Sequence, residues 1–249
     1  MSQESQPTPK FEETWELERR IGLNDIATRC FRNTADHEYI MARMAYRANL
    51  LQQFNWSALH ALEKYLKGIC LYNRVKCKDR DHRLRTLRKR LEPLSFIELR
   101  PQTVEFMNRI EDFGGDRYLT KSWMSRSEDL PLLDRAVWDV RRFCQVLNPE
   151  FTREPEENQE CLASLRERLN QKGLEPHDEP PLRGRLEEIL DRKDHPGREA
   201  LVWMNHCFGP RRRRTVKVRG SVIPAFENSP AHLYPHIIEE AKKYVYWPS

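Results

Sequence analysis

Across residues 36–73 the apolar side chains Leu51, Phe54, Ala58, Leu62, Tyr65, Ile69 and Tyr72 return every three or four positions, with no proline and a single glycine, Gly68. That period predicts a long amphipathic helix, or two in succession broken near residues 48–52, with Asp36 read as the N-cap. A second helix is expected at 82–91, stopped by Pro93, and a third at 103–113, ended by Gly114 and Gly115. A fourth, from about 130 to 147, carries the stripe Leu133, Val137, Val140, Cys144 and Leu147, with Pro149 just beyond it. Four or five helices within 35–148 predict an antiparallel bundle.

The pattern weakens on either side. Residues 1–34 read as an N-terminal segment. The Glu- and Pro-rich stretch 149–158 reads as a linker opening a C-terminal extension, 149–249. Short helices are expected there at 160–171, 183–193 and 198–206, followed by one alternating segment, Thr215-Val216-Lys217-Val218, expected as a strand. Pro235 fits the first turn of a last helix to about residue 246. So polar an extension is expected to pack on the bundle or on a partner.

Composition sharpens the fold class. Leucine occurs 27 times against 20 for valine and isoleucine together, and only 9 of 249 residues are glycine, which favours helices and disfavours Gly-rich phosphate loops. With 33% charged and 39% hydrophobic residues, the helices must carry charged outer faces, so the chain is expected to be all-α. A mean hydropathy of −0.82 and the lack of any run of eighteen apolar residues exclude a membrane-spanning helix. The polar start shows no secretory signal, so a cytoplasmic protein is expected. Six cysteines without a Cys-x-x-Cys pair, and histidines without zinc spacing, predict reduced thiols and neither metal nor cofactor.

Charge is unevenly spread. Residues 74–90 hold nine Lys or Arg and two Asp, residues 211–219 hold six basic residues and no acid, and residues 150–199 carry fourteen acids against nine bases. The first basic stretch and the second, which includes Arg211, Arg212, Arg213 and Arg214, suit a phosphate backbone. They suit equally a solvated face or a contact with the acidic segment. Tyr72, Phe208 and Phe226 lie close enough to stack bases, or to pack in the core.

On the long helix His60, Glu63, Lys64 and Lys67 form a polar stripe beside the apolar one. One reading is a solvated i,i+4 pair between Glu63 and Lys67, stabilising by about 0.3–0.5 kcal/mol. The wider context supplies another. The run Ser57-Ala-Leu-His-Ala-Leu-Glu-Lys-Tyr-Leu-Lys67, a basic loop, then His82-Arg-Leu-Arg-Thr-Leu87 resembles the HEPN domain family. There a Gln-Ala-x-Glu-Lys-x-Leu-Lys-type helix is followed by a His that opens the next helix. His60 stands where that family often has Gln, and Arg117-Tyr118 matches an Arg-Tyr that precedes the family's last helix. The resemblance covers residues 35–148 and leaves the extension unexplained.

The resemblance implies a bundle that dimerises, so that polar elements of two protomers line one cleft. Many such proteins are metal-independent ribonucleases acting as toxins, sometimes with a neutralising partner, or in anti-phage defence. Others are non-catalytic modules that bind RNA or nucleotides, and fold alone does not separate the two. The active members resemble one another in an Arg, a polar residue, three to five more residues, then a His. An imidazole can move the ribose 2′-OH proton while a guanidinium neutralises the phosphorane. Here that pattern occurs at Arg32-Asn33-Thr34-Ala35-Asp36-His37, ahead of the first expected helix, whereas the family carries it late. At the late position Arg117 has no His within seven residues downstream, so an imidazole from His82, His60 or His37 must be supplied by folding or across a dimer.

Overall fold

The computed structural model describes residues 9–77, 82–114, 116, 119–176, 178, 182–209 and 226–244. Among the described residues the fold is all-α apart from one two-residue strand pair. In order it forms α1 (Pro9–Ile26), a π-helical segment (Ala27–Arg32), α2 (Asn33–Arg47), α3 (Leu51–Tyr72), α4 (Leu84–Leu91) and α5 (Pro101–Gly114). Then come β1 (Trp123–Met124), α6 (Asp129–Arg141), α7 (Pro155–Leu169), α8 (Arg185–Asp191) and α9 (Pro196–Val202). Last are β2 (Phe226–Glu227), α10 (Pro230–Leu233) and α11 (Ile238–Ala241), the last two joined by one 3-10 turn at Pro235–Ile237. β2 pairs antiparallel with β1.

The central element is α3, packed on α2, α4, α5 and α6. Its stripe residues Phe54, Ala58, Leu62, Tyr65 and Ile69 are fully buried, and burying a side chain of the Leu, Ile or Phe class stabilises by about 1.5–3 kcal/mol. The break between α2 and α3 falls where the pattern put it, and its cause is a Schellman closure. Asn49 adopts φ 59°, its N–H bonds Tyr46 O at 3.0 Å, and Leu50 N–H bonds Ala45 O at 2.8 Å. The same device ends α3, with Arg74 at φ 56°, Arg74 N–H on Leu71 O at 3.2 Å and Val75 N–H on Cys70 O at 2.8 Å.

Asp36 is not an N-cap. Helix already runs through α1 and the π segment, and Asp36 is fully buried within α2, accepting from Arg141 and from the Tyr65 hydroxyl at 2.6 Å. Residues 149–158 are not a plain linker, since a 3-10 turn at Pro149–Phe151 leads directly to Pro155, the first residue of α7. The last expected helix is shorter than its pattern, ending at Ala241. Residues 215–218 lie outside the described residues.

The part of the extension up to residue 209 packs on the bundle, and buried arginines tie it there. Arg43 on α2 donates to Ala200 O at 2.8 Å and to Trp203 O at the end of α9, while pairing with Asp134 on α6. Arg141 joins Asp36 to Glu187 on α8, with both Glu187 contacts at 2.8 Å. Arg142 donates to Leu169 O, the C-terminal end of α7, at 2.6 Å. In each helix-end contact a cation meets carbonyls that have no intrahelical partner.

At the end of α5, Gly114 lies against α3. A Cβ there would fall 2.7 Å from Asn55 O and 2.9 Å from Leu59 Cβ, closer than packed atoms approach. Gly114→Ala is therefore expected to force α5 away from α3 and cost about 1–3 kcal/mol, read as a lower urea midpoint with an unchanged slope.

Candidate functional site

The polar stripe of α3 is gathered around one carboxylate. Glu63 is 5% exposed, and its Oε1 accepts from Lys67 Nζ at 2.6 Å and meets His82 Nδ1 at 2.8 Å. His60 Nδ1 lies 3.9 Å from Oε2, and its ring stands 4.4 Å from that of Trp56 on the previous turn. Helical spacing brings Trp56, His60, Glu63 and Lys67 into line, whereas His82 arrives from the residues leading into α4, nineteen positions on. His82 itself is 71% exposed.

Burial opposes charge on Glu63, yet the hydrogen bonds and charges of Lys67 and His82 outweigh it and hold the carboxyl below its ordinary value of 4.5. An ionised carboxylate only accepts, so His82 Nδ1 carries the proton and Nε2 keeps its lone pair whenever the ring is neutral. This carboxylate-oriented imidazole can act as a general base at Nε2. Because the folded state lowers this pKa, the stabilisation tied to Glu63 ionisation is complete above about pH 4.5 and is lost as pH falls through the folded value. The stability gap between the protein and Glu63→Gln is expected to be constant above pH 5 and to narrow below pH 4.5, as measured by denaturation across pH 3–7.

The other expected residues are placed elsewhere. Lys64 turns to Glu38 on α2 at 2.6 Å. Arg32 points its guanidinium at the carbonyls of Cys144 and Arg183, both at 3.3 Å, while His37 is exposed and lines a cleft of about 460 Å³ with Arg29 and Arg185. The expected pair is thus directed to two different surroundings. Arg117, Tyr118, Arg211, Arg212, Arg213 and Arg214 lie outside the described residues. Nor is Glu63–Lys67 the solvated pair that spacing alone suggested, because its carboxylate is buried under His82.

The basic stretch 74–90 divides into internal and outward parts. Arg74 lies over the Phe151 ring at 4.7 Å and donates to Arg20 O at 3.2 Å, and Arg85 is held by Glu111 at 3.0 Å and Asp112 at 2.9 Å. Lys76, Lys89 and Arg90 line an open cleft of about 610 Å³. Of the candidate stacking residues, Tyr72 and Phe208 are buried and Phe226 is exposed. Among the described residues no group of three His, Cys, Asp or Glu could hold a metal ion, and no helix is long and apolar enough to cross a membrane.

No family model, curated protein or solved structure matches this chain.

Proposed function

We propose that the chain is a HEPN-like, RNA-acting protein, a metal-independent endoribonuclease of the toxin or defence type, with His82 as general base and Glu63 as its orienting group. The observation that carries this reading is the 2.8 Å contact between His82 Nδ1 and a buried, ionised Glu63, made by an imidazole whose side chain is otherwise largely exposed. Nε2 would take the 2′-OH proton, the ribose oxygen would attack the adjacent phosphorus, and the 5′-oxygen would depart, giving a 2′,3′-cyclic phosphate. Lys67, Arg117 and the outward basic residues would bind phosphate, and a second protomer would complete the cleft. Purified protein incubated with total RNA in excess EDTA is expected to yield fragments ending in 2′,3′-cyclic phosphate. Absence of cleavage from pH 5 to 9 would exclude the catalytic reading.

A second reading, a non-catalytic RNA- or nucleotide-binding module acting through a protein partner, is favoured by Arg32, whose guanidinium is held on two backbone carbonyls instead of facing a reacting phosphate. It predicts saturable, salt-sensitive binding without turnover.

A further inference from the structure

A cavity of about 530 Å³, lined by none of the residues gathered around Glu63, lies between the start of α5, the face of α6 and the C-terminal end of α7. Four cations line it: Arg100, Arg135, Arg142 and Lys172. Two of them are rigidly mounted. The guanidinium of Arg100 lies 4.5 Å from the Trp138 ring centroid and that of Arg142 lies 5.0 Å from it, so one buried indole carries both. Arg142 is 6% exposed and is matched by the buried Asp139 at 2.7 Å. Of the acids facing the cavity, Glu175 is the informative one. Its carboxylate sits between two arginines without hydrogen-bonding either, 4.0 Å from Arg100 Nη1 and 3.7 Å from Arg135 Nη2. Such separations exceed those of a charge-assisted bond, about 2.7–2.9 Å.

We infer that this cavity is a binding site for a small phosphomonoester, whose phosphate displaces Glu175 from between Arg100 and Arg135. Charge supports the exchange. The four cations face Glu98, Glu175 and the underlying Asp139, an excess of one positive charge, which becomes two once Glu175 turns to solvent. A phosphomonoester carries about −1.5 to −2 at pH 7, and Arg recognises its oxygens in bidentate fashion. The first turn of α5, Pro101 and Gln102, forms part of the wall and adds the positive end of a fourteen-residue helix. Gln102, Asn170 and Gln171 also line the cavity and add uncharged polar side chains that suit ligand hydroxyls. The volume falls within the range of small-molecule sites, about 300–1,000 Å³. A sugar phosphate combines this charge, hydroxyl content and size.

The test titrates inorganic phosphate and ribose 5-phosphate into the full-length protein by calorimetry at fixed ionic strength and pH 7.5. One-to-one binding is expected, with ribose 5-phosphate the tighter of the two. Glu175→Gln removes the internal competitor and should tighten both by about tenfold, while Arg135→Ala should weaken both by about tenfold. Arg135 and Glu175 are each about one-third exposed, so both variants should fold, as thermal unfolding will verify. Failure of the protein and of Glu175→Gln to bind either probe at millimolar concentration overturns the inference, and so does equal affinity in the two proteins. Binding of 5′-phosphorylated RNA alone, without ribose 5-phosphate, also overturns it and assigns the cavity to RNA. The His82 variants described below bear only on RNA cleavage, so the two proposals fail separately.

Discussion

Asp134→Ala is expected to lower the free energy of unfolding by about 3–5 kcal/mol, the largest single effect on stability anticipated for this chain. Arg43 is fully buried, and Asp134 is the carboxylate with which it pairs. With the carboxylate gone, the guanidinium keeps the carbonyls of Ala200 and Trp203 but loses its paired anion, and the Tyr39 hydroxyl loses the acceptor it holds at 2.6 Å. The charge cannot be relieved by deprotonation, since arginine stays ionised. Urea denaturation measures the loss, and greater protease sensitivity near α9 should accompany it, because Arg43 is a buried tie between α2 and α9.

The pair is a positional device more than a net source of stability. Burial raises the Asp134 carboxyl above its ordinary value even against Arg43 and the Tyr39 hydroxyl, and Oδ2 has no partner. Desolvation therefore offsets much of the Coulombic gain, and the double variant Arg43→Met/Asp134→Leu is expected to recover most of what Asp134→Ala loses. A double variant no more stable than Asp134→Ala would show instead that the ion pair itself stabilises the fold.

These buried charges also mark where sequence reading stops. The helices of the bundle were legible because their apolar residues repeat at 3.6 and because α4 and α5 end close to Pro93 and Gly114. The α2–α3 break was legible only as an interval, since its stop is Asn49 in a left-handed conformation and not a glycine. Helix α1 was missed because its apolar residues form no stripe, and Trp15, Ile21 and Ile26 remain exposed. The docking of the extension was invisible because its ties are arginines, which in sequence look like surface charge. Asp36 shows the same confusion: an acid at the edge of an apolar pattern resembles a cap, yet here it is the buried partner of an arginine 105 residues away.

The candidate site was legible by the same logic, and only as far. Glu63 and Lys67 share a helix, so spacing sufficed to place them together. The approach of His82 rests on a loop whose path no periodicity encodes, and only the resemblance placed it nearby. Trp56, one turn before His60, stands against its ring on the same face. Arg32 and His37 matched a motif in order and spacing, but they leave a continuous helix towards a carbonyl pair and an exposed cleft respectively.

His82→Ala is expected to reduce RNA cleavage by about 100- to 10,000-fold, the range lost when a positioned acid–base group is removed. Its side chain is 71% exposed, but it is one of the two partners of the buried Glu63 carboxylate, so its removal should cost about 1–3 kcal/mol, and thermal unfolding of the variant is the control that shows it stays folded under the assay conditions. Glu63→Gln separates orientation from chemistry. A glutamine amide can donate to Nδ1, which moves the imidazole proton to Nε2 and removes the lone pair that accepts from the 2′-OH. Cleavage by this variant should therefore fall while His82 is still present, with RNA affinity nearly unchanged, so the loss appears in kcat and not in KM. Single-turnover assays on a defined oligoribonucleotide read both quantities. If His82→Ala cleaves as fast as the unmodified protein, the imidazole is not the base. If neither variant changes cleavage but both weaken binding, the cluster holds phosphate, as the binding-module reading requires.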